Sequence, residues 1–179
     1  ICLENEIDPF LLILSSDHKI KNKNNFQESI NEGLEFAREG NIVTFGIRPT
    51  EPNSGYGYIE SKEKITSLKK ASNIIRFLEK PNKKKAEEFL KDGHFTWNSG
   101  IFLFKAEAII REFKRHQPDL LNICKNSLKQ NSQDFDFRRI NESFFKECPN
   151  ISIDKAVMEK TNNGKVIFLD AGWNDLGSW

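Results

Sequence analysis

The sequence has few of the side chains from which disulfide frameworks and zinc sites are built. It contains three cysteines, Cys2, Cys124 and Cys148, and three histidines among 179 residues. No CxxC pair occurs, and no cysteine stands close to a pair of histidines, so the spacing excludes the common zinc sites and a disulfide scaffold. We therefore expect a protein of a reducing, cytoplasmic compartment.

Net charge and long apolar runs are also missing. Lys and Arg number 27 and Asp and Glu number 26, which leaves a formal net charge of +1. Such a balance favours neither nucleic acid nor an anionic membrane as a partner. No apolar run reaches the roughly 20 residues of a membrane helix, and the N-terminus lacks the plan of a signal peptide. The sequence opens on ICLENEIDPF without a methionine, so we interpret it as part of a longer protein.

The residues that are present are enough for a core, since 37% are hydrophobic. We predict one mixed α/β domain over residues 1–179. The run LLIL, a helical pattern over residues 26–37 closed by Gly40, and the run NIVTFGI form a β-α-β pattern, for which parallel strands are the default. KITSLKK and NIIRFLEK predict a strand pair, SGIFLFK another strand, and residues 118–129, 135–147 and 152–160 three helical segments.

Acidic residues follow two of the predicted strands. Asp17 follows LLIL after two serines, while Asp170 and Asp175 come after the run KVIFL. Ligands in α/β sheets bind beyond the carboxyl ends of strands, and Mg²⁺ prefers oxygen ligands such as one or two carboxylates. A carboxylate pair from the two strand ends is therefore a candidate Mg²⁺ site. The alternative for each aspartate is an ordinary turn or helix-cap hydrogen bond.

The segment Glu79-Lys80-Pro81 ends the predicted strand NIIRFLEK. A proline that bends the chain there allows both charged side chains to face one pocket rim. Glu79 could then accept hydrogen bonds from sugar hydroxyls, and Lys80 could bring positive charge to a phosphate. Solvated surface charges are the alternative.

Four further residues are candidates of a weaker kind. Gly55 and Gly57 stand at an aromatic strand start in SGYGYIE, where a missing side chain lets a ligand approach the backbone, although a turn or bulge requires the same residue. Asn98 in WNSGIF has an amide that binds a sugar or caps a turn. His18 could orient Asp17, with a structural hydrogen bond as the alternative.

In order along the chain, six blocks resemble those of mannose-1-phosphate guanylyltransferases, also called GDP-mannose pyrophosphorylases, of the bacterial type often fused to a mannose-6-phosphate isomerase. The blocks are SSDHKI, TFGIRPTEPNSGYGYIE, FLEKP, FTWNSGIFLF, SIDKAVMEK and GWNDLGSW. The resemblance implies the nucleotide-diphospho-sugar transferase fold, a Rossmann-like α/β fold with a mixed, mostly parallel sheet flanked by helices. It also implies a Mg²⁺-dependent reaction of GTP with mannose 1-phosphate that gives GDP-mannose and pyrophosphate.

The same resemblance implies roles for residues of this sequence. The aspartates that match Asp17 and Asp175 hold Mg²⁺ in such enzymes, and the lysine that matches Lys80 meets the sugar phosphate, which makes these three the expected catalytic residues. The expected substrate-binding residues are Glu79 and Asn98, which match contacts to the hexose, and Gly57, whose backbone faces the substrate.

The family's Gly-rich phosphate loop, with its arginine and lysine, is not in these 179 residues. We therefore expect the full-length protein to be the enzyme and this piece alone to be inactive; a homo-oligomer is compatible with the sequence. Two alternatives stay open at this point. One is a regulatory protein that binds a sugar nucleotide without turnover, and the other is a related nucleotidyltransferase that uses a different sugar 1-phosphate.

Overall fold

A computed structural model describes residues 3, 7–64, 71–129, 132–134 and 137–176. The chain divides into two compact units, which are described separately. The first, here called the sheet unit, comprises Ile1–Ile109 and Thr161–Trp179, and the second, the helical unit, comprises Ile110–Lys160. That all 179 residues form one domain stays a prediction, and residues 65–70 of the predicted strand KITSLKK lie outside the described residues.

The sheet unit is built on one mixed sheet of six strands and a separate ribbon of two. Strands are numbered in chain order, and the order across the large sheet is β1-β6-β3-β9-β5-β4. Its strands are β1 (Phe10–Ile13), β3 (Ile42–Ile47), β4 (Tyr58–Ser61), β5 (Ser72–Leu78), β6 (Phe95–Lys105) and β9 (Gly164–Phe168), and the ribbon pairs β2 (His18–Ile20) with β10 (Trp173–Asp175).

Strand directions explain why the sheet is mixed. β1, β3, β4 and β9 run one way, and β5 and β6 run the other. The predicted β-α-β pattern holds in that β1 and β3 are parallel, but β6 lies between them and is antiparallel to both. β5, predicted to pair with residues 64–70, pairs with β4 and β9. The α/β fold predicted from the sequence is confirmed.

The helix α1 (Lys23–Arg38) forms where its pattern and caps predict it. Asn22 accepts hydrogen bonds from the backbone N–H groups of Asn24 and Asn25 at 3.1 Å, and Gly40 follows the helix with a φ of 86°, which glycine adopts without strain. α1 covers a core whose buried members include Val43, Phe45, Ile101, Leu103 and Ile167. Burial of each such side chain stabilises the fold by about 1.5–3 kcal/mol. The core therefore holds the strands in place, and with them the segments that follow the strand ends.

A second helix of the sheet unit is α2 (Lys83–Asp92), with Asn82 as its N-cap and Gly93, at φ 86°, as its C-cap. It ends at Asp92-Gly93. Its Phe89 packs against Tyr58 and Phe95 in a second buried aromatic cluster. The helix α3 (Ala106–His116) begins in the sheet unit directly after β6.

The helical unit contains α4 (Pro118–Lys129), a hairpin of β7 (Ser132–Asp134) and β8 (Phe137–Arg139), and the short α5 (Glu142–Phe145). A π-helical turn follows at Asp154–Met158. The prediction of one helix over residues 135–147 is wrong for the residues of β8. The alternation of apolar and charged residues in FDFRR has the period of a strand, and the helix begins only at its N-cap Asn141.

One edge of the large sheet carries apolar side chains in contact with solvent. Among the described residues, β1 pairs with β6 and with no other strand. Phe10, Ile13 and Leu14 are exposed there by 36%, 45% and 53%.

No helix in the described part of the chain has an apolar stretch long enough to cross a membrane.

Candidate functional site

The ribbon of β2 and β10 brings Asp17 and Asp175 to the same end. Asp175 lies opposite His18 in the antiparallel register, and the backbone N–H of Leu176 donates to the carbonyl of Asp17 at 3.1 Å. The two aspartates are far apart in the sequence. Their proximity therefore depends on the pairing of two three-residue strands.

The side chains of Asp17, His18 and Asp175 converge. A carboxylate oxygen of each aspartate and a ring nitrogen of His18 all lie within 4.8 Å of one another. The Asp17 side chain is 58% exposed and that of His18 is 11% exposed, with His18 Nε2 at 4.0 Å from Asp17 Oδ1. The group therefore opens to solvent on its carboxylate side and is packed on its imidazole side.

Trp173 holds the imidazole. Its indole N–H donates to His18 Nδ1 at 3.2 Å, and the two rings meet edge to face with centroids 5.2 Å apart. Tyr56 packs on Trp173 at 5.6 Å and on Trp97 at 5.0 Å. These aromatic rings connect the ribbon with the strand start that contains Gly57.

Gly57, Glu79 and Asn98 form a second group, here called the sugar corner. A Cβ on Gly57 would lie 2.8 Å from Glu79 Oε2 and 3.4 Å from Asn98 Cβ. The missing side chain is therefore required, because the carboxylate occupies its place. The backbone N–H of Asn98 donates to the carbonyl of Gly57 at 2.8 Å, which fixes the two strands at this point.

The amide of Asn98 is fixed from within the protein. Its Oδ1 accepts from the backbone N–H of Gly100 at 3.1 Å and from the Thr44 hydroxyl at 3.3 Å. Gly100 has a φ of 71°, and a Cβ there would lie 3.7 Å from His18 Cε1. Gly100 thus lies between the Asn98 side chain in the sugar corner and the His18 ring in the ribbon.

Lys80 stands at the rim of the sugar corner. Its Nζ is 3.9 Å from Glu79 Oε1, and its side chain is 64% exposed whereas that of Glu79 is 16% exposed. The backbone of Lys80 has a φ of 48°, in the left-handed region that a non-glycine residue rarely adopts. Backbone strain of this kind costs about 1–3 kcal/mol and occurs most often at functional sites.

The residues predicted from the sequence to form the site are thus found in two adjoining groups within the sheet unit: Asp17, Gly57, Glu79, Lys80, Asn98 and Asp175. Asp170 is exposed and lies outside the carboxylate cluster, and its carbonyl accepts from the Asn25 side chain at 2.8 Å. Gly55 belongs to a turn in which its N–H donates to Asn53 Oδ1 at 2.8 Å. Of the two aspartates, Asp175 therefore belongs to the carboxylate cluster and Asp170 does not. Of the two glycines, Gly57 belongs to the sugar corner and Gly55 does not.

A cavity of about 420 Å³ opens beside Trp173, at the carboxyl ends of the parallel strands β3 and β9. Arg48 and Asp170 bring opposite charges to its lining, and the Arg48 guanidinium lies 5.5 Å from the centre of the Phe168 ring. The position is the one at which α/β sheets bind ligands. The cavity extends the surface formed by the two groups.

Sequence reasoning did not identify three residues that organise the site: Thr44, Gly100 and Trp173. Thr44 is a buried polar residue in the middle of a strand, which no periodicity marks as functional. Trp173 stood inside the quoted block GWNDLGSW, and its position two residues before Asp175 places both side chains on one face of a strand. That spacing is the signal that could have found it.

Comparison with known proteins identifies the family of the chain. The model of the nucleotidyl transferase family matches residues 2–179. The chain belongs to the nucleotidyl transferase family. A protein of Vibrio cholerae named putative mannose-1-phosphate guanylyltransferase is 45% identical over 177 residues, which cover 99% of this chain and 38% of that protein. This nucleotidyl transferase chain thus spans well under half the length of that curated relative.

Two solved structures are similar to this member of the family. One, from Thermus thermophilus, is named mannose-1-phosphate geranyltransferase and shows a TM-score of 0.83 and 31% identity over 99% of this chain and 49% of its own. The other, from Helicobacter pylori, is named mannose-6-phosphate isomerase and shows a TM-score of 0.84 and 34% identity over 94% of this chain and 64% of its own. The resemblance inferred from the motifs is confirmed at the level of sequence and fold.

Proposed function

We propose that the protein containing this chain is a mannose-1-phosphate guanylyltransferase, and that this chain supplies the metal-binding and sugar-binding sides of its active site. The reaction joins GTP and mannose 1-phosphate to give GDP-mannose and releases pyrophosphate. The observation that carries the proposal is the convergence of Asp17 with Asp175 beside the sugar corner of Gly57, Glu79 and Asn98.

The carboxylate pair has the chemistry that Mg²⁺ requires. Two oxygens on one Mg²⁺ lie about 2.0–2.1 Å from it and hence no more than about 4 Å apart, and those of Asp17 and Asp175 lie within 4.8 Å. A small rotation of the exposed Asp17 side chain closes the difference. A Mg²⁺ held by Asp17 and Asp175 would neutralise phosphate charge during the transfer.

The sugar corner has the chemistry that a hexose phosphate requires. Glu79 offers a carboxylate and Asn98 an amide to hydroxyl groups, and the absent Gly57 side chain allows the ring to approach the backbone. Lys80, 3.9 Å from Glu79 and mostly exposed, supplies a cation for the sugar phosphate. A hexose 1-phosphate seated there would carry its phosphate towards the ribbon.

Little covalent chemistry is left for the protein. An oxygen of the sugar phosphate is already a nucleophile, and it attacks the α-phosphorus of GTP as the bond to pyrophosphate breaks. Positioning of the two phosphates and neutralisation of their charge are then the main contributions of the site. No covalent enzyme intermediate is needed in this proposal.

The test is made on the full-length gene product that contains this sequence. Pyrophosphate release from GTP is measured in separate assays with mannose 1-phosphate, glucose 1-phosphate or fucose 1-phosphate. Each assay is run with and without Mg²⁺. We expect release with mannose 1-phosphate that requires the metal and produces one GDP-mannose for each pyrophosphate.

Two outcomes would contradict the proposal. A higher kcat/KM with glucose or fucose 1-phosphate would assign the protein to a related nucleotidyltransferase. Binding of GDP-mannose by calorimetry without pyrophosphate release from any of the three sugars would indicate a regulatory protein.

A further inference from the structure

We propose that Trp173 holds His18 in one tautomer, with the proton on Nε2, and that His18 thereby positions the carboxylate pair as a hydrogen-bond donor and is not itself a metal ligand. The His18 side chain is one of the three groups that converge with the aspartates. The tautomer follows from the contacts of the ring. The consequence for metal choice rests on the proposed function.

The tautomer follows from the chemistry of the indole. Tryptophan has a hydrogen-bond donor and no acceptor, and its Nε1 lies 3.2 Å from His18 Nδ1. Nδ1 must therefore offer its lone pair. A neutral imidazole has a proton on one nitrogen, so the proton of His18 is on Nε2.

The ribbon holds this contact in place. Residues 18 and 20 of β2 and residues 173 and 175 of β10 share one face of the two strands, because Trp173 lies opposite Ile20 and Asp175 opposite His18. Trp173 and His18 are thus diagonal neighbours across the pair. The His18 side chain is only 11% exposed, and the edge-to-face packing on the indole fixes the plane of its ring.

The protonated Nε2 faces the carboxylates. Asp17 Oδ1 lies 4.0 Å away, beyond the range of a direct hydrogen bond and within reach through one water molecule or a small rotation of Asp17. A donor N–H at this position attracts carboxylate oxygen atoms and limits their rotation. His18 is therefore a positioning residue for the pair.

The same proton keeps His18 from binding a metal. A histidine ligates through a nitrogen without a proton and donates its other N–H to a carboxylate, a carbonyl or a water. The indole of Trp173 cannot accept such a bond. Divalent cations at this site then meet oxygen ligands from the protein, which favours Mg²⁺ over Zn²⁺, whereas an added imidazole ligand would favour Zn²⁺.

Nuclear magnetic resonance of the ¹⁵N-histidine-labelled full-length protein reads the tautomer directly, at a pH where histidine is neutral and without added metal. Long-range ¹H–¹⁵N correlations separate a protonated from an unprotonated nitrogen. We expect the Nε2–H pattern for His18 in the wild-type protein. An Nδ1–H pattern would overturn the proposal with no variant needed.

Two variants refine the result. In Trp173→Phe the indole donor is lost, and we expect the His18 signals to shift towards a mixture of tautomers. Trp97→Phe is the matched control, because the Trp97 indole N–H is buried and has no acceptor among the described residues. An unchanged tautomer in Trp173→Phe, with the ¹H–¹⁵N signals of the other two histidines unchanged, would contradict the role of the indole.

Metal titrations of the same samples separate this inference from the proposed function. With Mg²⁺ or Zn²⁺ added to the wild-type protein, we expect His18 Nε2 to keep its proton, and Trp173→Phe to bind Zn²⁺ at least about tenfold more tightly relative to Mg²⁺. Coordination of Zn²⁺ by His18 in the wild-type protein would overturn the inference alone. Absence of any effect of Mg²⁺ on the His18 signals would contradict the proposed Mg²⁺ site at Asp17 and Asp175 and leave the tautomer assignment standing.

Discussion

The two units of the chain differ in what their polar side chains do. In the sheet unit, polar groups at strand ends and turns converge on one surface, and they are fixed by contacts to residues far away in the sequence, as Asn98 is by Thr44 and Gly57. In the helical unit, the described polar contacts are mostly local: Glu112 and His116 pair at 3.3 Å one turn apart, and Lys146 pairs with Glu142 at 2.8 Å. Long-range fixation therefore marks the region where we expect chemistry.

The largest effect is expected from the carboxylate pair. Asp175→Asn removes one of two anionic ligands, and we expect kcat/KM for GDP-mannose formation by the full-length protein to fall about 10²–10³-fold. Steady-state assays over a range of Mg²⁺ concentrations measure the loss. Part of it should be recovered at higher Mg²⁺ if the change weakens metal binding.

Asp170→Asn is the matched control for that prediction. Asp170 lies on the same connection after β9 and lines the neighbouring cavity, but it is outside the carboxylate cluster, so we expect a smaller loss of kcat/KM than in Asp175→Asn and no recovery of that loss at higher Mg²⁺. A similar loss in both variants would show that the cluster does not distinguish the two aspartates, and the metal assignment to Asp175 would then be wrong.

A somewhat smaller effect is expected from Gly57→Ala. The added Cβ would lie 2.8 Å from Glu79 Oε2, so the carboxylate must move away from the sugar corner. We expect KM for mannose 1-phosphate to rise about tenfold or more, with a much smaller change in KM for GTP, since loss of a well-placed hydrogen bond to a substrate costs about 1–3 kcal/mol. Two-substrate kinetics measure both constants.

The comparison variant here is Gly55→Ala. The nearest atom to a Cβ on Gly55 is the Asn53 side-chain oxygen at 3.0 Å, which can yield. We expect both Michaelis constants to stay within about twofold of the wild type, as for a surface substitution. Equal increases for Gly55→Ala and Gly57→Ala would indicate a general disturbance of the turn instead of a displaced Glu79.

The third prediction concerns stability in the sheet unit. A Cβ on Gly46 would lie 2.7 Å from Thr96 Cβ and 2.9 Å from Thr96 Cγ2, and both residues are fully buried. We expect Gly46→Ala to lower the free energy of unfolding by about 1–3 kcal/mol, as overpacking of a core does. Urea denaturation measures the change. Thr96→Ala in the same chain should restore part of the stability, and strictly additive losses would contradict the steric explanation.

The smallest effect on turnover is expected in the helical unit, at Cys124. Burial first, and the neighbouring Cys148 second, raise the pKa of the Cys124 thiol above its ordinary value of 9.0. The unfolded chain loses this proton at lower pH than the folded chain, so the free energy of unfolding is unaffected below the ordinary pKa and falls above it, up to the raised pKa. Alkylation of Cys124 should accordingly be slow at neutral pH and accelerate only at high pH.

Peptide mapping by mass spectrometry after timed alkylation gives the rate at each cysteine. In Cys148→Ser we expect the pKa of Cys124 to fall part of the way, because burial is the larger cause of the shift. Complete return to the ordinary value would make Cys148 the main cause. The turnover of the full-length protein should be unchanged in Cys148→Ser.

Local signals predicted the local features well. The helical pattern closed by Gly40 located α1 and its C-terminal end, because caps act within one turn of the chain. The helix predicted over 135–147 failed where a short stretch could pair as a hairpin. The insertion of β6 between β1 and β3 had no sequence signal, since strand order depends on pairings that periodicity does not encode.

The same division holds for the site. Gly57, Glu79 and Asn98 could be named from residue type and motif, but only the fold shows that a carboxylate fills the space of the missing Gly57 side chain. The choice of Asp175 over Asp170 required the register of a three-residue ribbon. Trp173 was missed because an aromatic residue in a strand is usually explained by packing alone.

The left-handed backbone of Lys80 has an evolutionary consequence. Glycine or asparagine would adopt this conformation at lower cost, so under the proposed phosphate-binding role we expect the lysine to be retained for its charge. In a lineage that gave up the transfer of phosphates, drift should soon replace Lys80 by one of the less strained residues. With Lys80 in its proposed role, we expect the identity of residue 80 to differ between relatives that transfer phosphates and relatives that only bind sugar nucleotides.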